Sequence, residues 1–181
     1  MRLASWNIRG LGNKSRGRLA GAIVNRFQLH FFAIQETMVN DVGLPVLNEI
    51  WKHYAFDTIQ VQASGRSGGL LSSWRTDVFS LVMAWKRKNW IATILRYSPS
   101  NNVILIVNVY APLQESKKKI LWAQLCSIAR IWPGPLCFMG DFNSVCCPGE
   151  RLRENIDLVS IANFKDFINN ASLFDLPLSN D

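Results

Sequence analysis

Five strand-length segments crowd into residues 55–110, at about 55–61, 69–74, 78–84, 90–97 and 103–110, separated only by short breaks at Gly65 and at 67–68, 86–89 and 99–102. Strands joined by turns this short pair antiparallel with their neighbours. A sheet of that kind has to bury at least one face against another layer. Segments of helical period lie on either side and supply the partners. In residues 14–27, Leu19, Ile23, Val24 and Phe27 recur at helical spacing. Leu44, Leu47, Ile50, Trp51 and Tyr54 mark a second helix. Leu121, Leu125, Ile128 and Trp132 mark a third, and Ile161, Phe164, Ile168 and Ala171 a fourth.

Residues 2–8 and 31–34 read as buried strands on either side of the first helix, and a strand–helix–strand order implies parallel pairing. Residues 136–139 form one more buried strand, and 177–180 read as the approach to another. The expected fold class is α+β, with two sheets packed face to face and helices outside. One domain spanning 1–181 is expected. Hydrophobic residues make up 49% of the chain and charged residues 18%, which suits a globular core and excludes a disordered chain.

The net charge of +7 favours polyanionic partners. Cys126, Cys137, Cys146 and Cys147 contain no CxxC pair, and His30 and His53 lie far from them in sequence, which argues against a structural zinc site. Adjacent Cys146 and Cys147 do not resemble a secreted disulfide framework, so a reducing, intracellular setting is expected, with the nucleus compatible and secretion not. The apolar runs are too short to span a membrane, and no segment points to an obligate protein partner.

Polar residues follow the apolar runs in four places: Trp6-Asn7-Ile8-Arg9-Gly10, Gln35-Glu36-Thr37, Asn108-Val109-Tyr110-Ala111-Pro112 and Gly140-Asp141-Phe142-Asn143. Strand ends are where ligands gather in layered folds, so these groups are expected on one rim. The set suits metal-assisted phosphoryl chemistry. A hard cation takes oxygen ligands, with Glu36 a candidate and Asn7 a neutral partner. Asp141 can take a proton from an attacking water, Asn143 can hold that water, and Tyr110 can donate to a developing oxyanion. Taken singly, each has a plainer reading: a surface or capping Glu, a turn Asp or Asn, a core Tyr.

The order of these segments, with Ser67-Gly68-Gly69-Leu70 among them, resembles the successive motifs of the endonuclease/exonuclease/phosphatase superfamily. Within it the chain is most similar to the apurinic-type endonuclease domain of plant LINE (non-LTR) retrotransposons. The resemblance runs from Arg2 to Asp181 and implies a four-layer αββα sandwich with Mg²⁺ (or Mn²⁺) as cofactor, DNA as partner and a parent protein that carries a reverse transcriptase. It implies Glu36 as principal metal ligand, Asn7 as a metal- or phosphate-contacting residue, Tyr110 as the phosphate-contacting tyrosine, Asp141 as the water-activating aspartate and Asn143 as its companion.

The resemblance also implies a later Asp and a closing Asp-His pair. Neither His30 nor His53 fits that place, so the expected domain is incomplete at its C-terminus and lacks its last strands. Losing one such transition-state donor typically costs about 10²–10³ in rate, and weak or absent activity is expected. Arg151 and Arg153 follow Gly-Asp-Phe-Asn and are the expected DNA-backbone contacts. The clusters 86–88 and 117–119 read as solvated basic faces. Trp74, Trp85 and Trp90 read as core or rim, and Cys126 and Cys137 as core. Two alternatives stand beside the endonuclease: a phosphatase acting on small or lipid phosphoesters, and a catalytically dead remnant that binds nucleic acid.

Overall fold

A computed structural model describes residues 1–12, 14–65, 67–150 and 157–176. The chain divides into two compact units. One comprises Met1–Tyr110 and Gly134–Asp141, the other Ala111–Pro133 and Phe142–Asp181. The described residues form eight strands and four α-helices. In chain order these are β1 (Leu3–Asn7), α1 (Lys14–Phe27), β2 (Phe31–Gln35), α2 (Leu44–Trp51), β3 (Phe56–Ser64), β4 (Ser67–Arg75), β5 (Phe79–Arg87), β6 (Trp90–Tyr97), β7 (Asn102–Tyr110), α3 (Glu115–Ile131), β8 (Leu136–Asp141) and α4 (Leu158–Asn170). No described helix is long and apolar enough to cross a membrane.

The first unit holds both sheets, ordered β1-β2-β4-β3 and β5-β6-β7-β8. In each, one neighbouring pair is parallel, β1 with β2 and β7 with β8, and the others are antiparallel. Strand β2 explains the layering. Its side chains alternate between faces, yet Phe31, Phe32, Ala33 and Ile34 are all fully buried. Phe31 and Ala33 enter a core with Trp74, Phe79, Leu95 and Ile106, which joins the two sheets. Phe32 and Ile34 enter a second core with Ala20, Val24, Leu47, Ile50 and Trp51, which seats α1 and α2 on the first sheet. Burial on both faces is why the strand reads as an unbroken apolar run.

Three details differ from the sequence reading. Helix α1 does not bury Leu19 or Phe27, each 52% exposed. It buries Gly17, Ala20, Gly21 and Val24, small residues at i, i+3, i+4 and i+7. Gly21 lies against the Glu49 carbonyl of α2, where a Cβ would collide. Close approach of the two helix backbones, more than hydrophobic bulk, selects this face. Residues 67–68 are not a break, because β4 starts at Ser67 and Gly68, at a left-handed φ of 76°, still pairs with Ala63 of β3. Lys86 and Arg87 extend β5.

In the second unit α3 buries Leu121, Trp122 and Leu125, with Trp122 taking the place expected of Trp132. Trp122, Phe142, Phe164 and Phe167 form an aromatic cluster, Trp122 stacking on Phe167 at 4.8 Å between ring centroids. Helix α4 is capped by Asp157, which accepts from the Val159 and Ser160 amides. Residues 177–180, expected to approach a strand, lie outside the described residues.

Candidate active site

The two parallel strand pairs carry the chemistry. In β1 and β2, Asn7 is in register with Gln35, and Glu36 follows at once. In β7 and β8, Tyr110 is in register with Asp141. Asn7 joins the two pairs. Its Nδ2 donates to Glu36 Oε1 at 2.8 Å and to Asp141 Oδ2 at 2.7 Å. The Tyr110 hydroxyl donates to the same Glu36 Oε1 at 2.8 Å. One amide thus holds two half-buried carboxylates together, and a phenol closes the cluster. Burial first, then the hydrogen bond to Glu36 and the charges of Glu36 and Asp141, push the Tyr110 pKa up to about 12. The phenol therefore stays protonated, able to donate, across the neutral range.

The backbone around the cluster is laced from both sides. Glu36 has a left-handed φ of 54° and Arg9 one of 51°, conformations sustained only where the surroundings over-determine them. The Gly10 and Leu11 amides donate to the carbonyls of Glu36 and Thr37, both at 2.7 Å. On the other flank, the Thr37 and Met38 amides donate to the carbonyls of Gly69 and Gly68. A Cβ on Gly69 would strike the Thr37 hydroxyl, which explains the glycine at that position of β4. Gly140, at φ 143°, lies so close to the Val109 carbonyl that any side chain would collide. That glycine lets β8 deliver Asp141 beside Tyr110.

Two site residues carried no assigned role in the sequence reading. Gln35 and Asn108 are almost wholly buried beneath the carboxylates. Gln35 Nε2 donates to Asn108 Oδ1 at 2.7 Å and to Ser5 Oγ at 3.0 Å, and Asn108 Nδ2 donates to the Leu71 carbonyl at 3.0 Å. This polar lock ties β2 and β4 to β7 directly under the cluster. Its only sequence signal is an amide within an otherwise apolar strand run.

Asn143 belongs to the second unit. Its φ is 47°, its Nδ2 donates to the Ala111 carbonyl at 2.7 Å, and its own carbonyl accepts from Lys118 Nζ at 2.7 Å. Lys118 corrects the reading of 117–119 as a solvated basic face. It is 3% exposed, paired with Glu115 at 2.8 Å and bonded to Ser160 Oγ at 3.2 Å. Burial raises the Glu115 pKa, but hydrogen bonds from Lys118, Ser160 and Asn163 outweigh it and hold the carboxyl below its ordinary value. Arg151 and Arg153 lie outside the described residues. His30 Nδ1 accepts from the Arg2 amide at the start of β2, a structural contact. Trp74 and Trp90 are core, whereas Trp85 is 44% exposed, against its expected place in core or rim. Cys126 is buried and Cys137 half-buried.

The donor set fits a hard divalent cation. Mg²⁺ takes one or two carboxylates and fills its remaining positions with water and substrate oxygens, and Glu36 with the Asn7 amide oxygen offers that pattern. Among the described residues no cluster of three or more His, Cys, Asp or Glu exists, so these residues do not offer the nitrogen- and sulfur-rich cage that zinc prefers.

The model of the endonuclease/exonuclease/phosphatase family matches residues 4–175. The chain belongs to that family. Solved structures agree on the fold. An AP endonuclease from Archaeoglobus fulgidus superposes with a TM-score of 0.69 at 13% identity, covering 93% of this chain and 70% of its own. The AP endonuclease LMAP from Leishmania major gives 0.67 at 13% identity, covering 93% and 66%. The mannosyl-6-phosphatase Bt3783 of Bacteroides thetaiotaomicron gives 0.63 at 15% identity, covering 91% and 69%. The chain thus spans about two thirds of the length of these members, and 61% of another Bacteroides thetaiotaomicron member. No curated protein sequence matches it. The family is one of endonucleases, exonucleases and phosphatases, and its enzymes generally depend on a divalent metal.

Proposed function

We propose that this chain is the catalytic portion of a Mg²⁺-dependent phosphodiesterase that nicks DNA, of the kind carried by LINE-type retrotransposons. The observation that carries the reading is the Asn7 amide bridging Glu36 and Asp141 with the Tyr110 hydroxyl on Glu36. The wording of the motifs, the +7 charge and the AP endonuclease relatives favour DNA over a small phosphoester.

In this reading Glu36 is the principal metal ligand, with Asn7 Oδ1 as a neutral partner. When bound, the ion supplies charge neutralisation on the phosphate. The residues do the rest. Asp141 accepts the proton of a water whose oxygen attacks phosphorus; the bond from phosphorus to the leaving ester oxygen breaks as the new one forms, and that oxygen departs as an alcohol with a proton from solvent. Asn7 keeps the Asp141 carboxylate aimed while it does so. Tyr110, still protonated, donates to the phosphate oxygen on which charge accumulates. Asn143 orients the attacking water. Slow conversion of supercoiled plasmid to open circle with Mg²⁺, abolished by EDTA and by Asp141→Asn or Glu36→Gln, is the expected result. Turnover of inositol or sugar phosphates with no nicking would assign the site to a phosphatase instead.

A further inference from the structure

The β5–β6 hairpin stands at the rim of this site. Asn89, in its turn, holds Tyr110 by two bonds: the Tyr110 amide donates to the Asn89 carbonyl at 2.9 Å, and Asn89 Nδ2 donates to the Tyr110 carbonyl at 2.8 Å. Immediately before Asn89 come Lys86, Arg87 and Lys88, all exposed. Lys86 turns back to the Gln60 carbonyl at 3.0 Å, while Arg87 and Lys88 continue toward the Asn89 turn. Met83, Trp85 and Arg87 pair with Ile94, Ala92 and Trp90, so they share one face of β5. Met83 is 51% and Trp85 44% exposed. Across the acid cluster, Arg9 is exposed and near enough for its charge to act on Tyr110.

An edge strand with apolar side chains in water is a candidate for pairing with another strand, but β5 is built against that. A register shift between Leu81 and Met83 bends it, and Lys86 and Arg87 charge its end, two devices that discourage edge-to-edge pairing. What remains is an exposed indole and two exposed cations beside the Asn89 turn that holds the Tyr110 backbone. Cations beside an exposed aromatic ring suit a polynucleotide strand, whose phosphates take the charges and whose unpaired bases take the ring.

We propose that the β5–β6 hairpin is a track for a single-stranded segment of the substrate flanking the scissile phosphate, with Arg87 and Lys88 on phosphates and Trp85 stacked on a base. This rests on the phosphodiesterase reading and deepens it: the substrate is a nucleic acid unpaired on one side of the cut. The sequence reading placed backbone contacts at Arg151 and Arg153; the hairpin supplies other residues.

The test is fluorescence anisotropy of the 1–181 chain with labelled 20-nucleotide single-stranded DNA, the same sequence as RNA, and its DNA duplex, in EDTA so that nothing is cut. Arg87→Ala/Lys88→Ala should lower the slope of log affinity against log salt by about 1.4 on single strands, some 0.7 for each lost phosphate contact. Trp85→Ala should weaken single-strand binding about ten-fold and leave the duplex unchanged. Lys52→Ala/Lys165→Ala, which removes as much charge elsewhere, should leave the slope where it was. An unaltered slope in Arg87→Ala/Lys88→Ala, or equal loss on duplex and single strand in Trp85→Ala, overturns the proposal. So does a concentration-dependent dimer that Trp85→Ala abolishes. The DNA and RNA arms show which sugar the track accepts. Wild-type turnover of bis(4-nitrophenyl) phosphate, which has no flanking strand, is measured in parallel: its absence alongside the expected binding sinks the hydrolase reading and spares the track, and the converse spares the hydrolase.

Discussion

Replacing Lys118 with Met removes a buried ammonium and leaves three acceptors behind. Glu115 Oε1, Ser160 Oγ and the Asn143 carbonyl all lose the same donor. Breaking a buried ion pair from one side costs about 3–5 kcal/mol. Glu115 keeps 29% of its side chain in water and still accepts from Ser160 at 2.6 Å, so screening reduces the figure to about 2–3 kcal/mol. With a urea slope of about 1–3 kcal/mol/M, the midpoint should fall by about 0.7–3 M at pH 7. The pH dependence gives a second check. The Glu115 pKa is depressed in the fold, so its contribution is present above the unfolded carboxyl pKa and is lost as pH falls through the folded value. In Lys118→Met only burial and the remaining weaker bonds act on Glu115, and protonation relieves the uncompensated charge. The gap between the two proteins should therefore narrow on acidification toward pH 4. Glu115→Gln/Lys118→Met should recover more than half of the loss, since both charges leave together. A Lys118→Met midpoint within 0.3 M of wild type, or a gap that does not change with pH, refutes the burial argument.

Tyr110→Phe should lower the nicking rate about 10²–10³-fold, the usual cost of one transition-state donor, and should remove a phenol titrating at about pH 12 from an absorbance titration at 295 nm. Gly140→Ala forces a Cβ onto the Val109 carbonyl at a φ of 143°, and should cost about 3–4 kcal/mol by thermal unfolding or leave the protein insoluble. Asn108→Leu keeps the volume but removes the acceptor of Gln35 and the donor to Leu71, and should destabilise by about 2–3 kcal/mol in urea unfolding.

Strands were legible where burial on both faces wrote continuous apolar runs, as in Phe31–Gln35 and Asn102–Tyr110. The site was legible because its groups stand where those runs stop, so Asn7, Glu36, Tyr110 and Asp141 could be named before their meeting was seen. Helix α1 was misread on its buried face because Gly17, Ala20 and Gly21 carry almost no hydrophobic signal; their role is to be absent, and only the partner helix shows it. Lys118 was misread for the opposite reason. Between two other lysines its charge says solvent, and nothing local announces that Glu115, Ser160 and Asn143 enclose it. Gln35 and Asn108 lay in plain view inside the motifs, but each finds its partner about seventy residues away, beyond the reach of any local pattern.

The placement of the cluster follows from strand direction. Antiparallel neighbours send their ends to opposite edges of a sheet, while parallel neighbours bring both C-terminal ends to one edge. Each sheet here has a single parallel pair, and the strands of those pairs supply or lead directly into all four clustered groups. Because β1 also packs near β8, the two edges meet, and a short amide such as Asn7 can reach a carboxylate from each sheet. The geometry of the cluster is therefore a direct reading of how the two sheets sit on each other. The inter-sheet core of Phe31, Trp74, Phe79 and Ile106 sets the spacing, and the Gln35–Asn108 lock fixes the sliding coordinate just beneath the site. A change in that core acts on the carboxylates through Asn7, whose two bonds cannot both survive a shift of the sheets by more than a few tenths of an ångström.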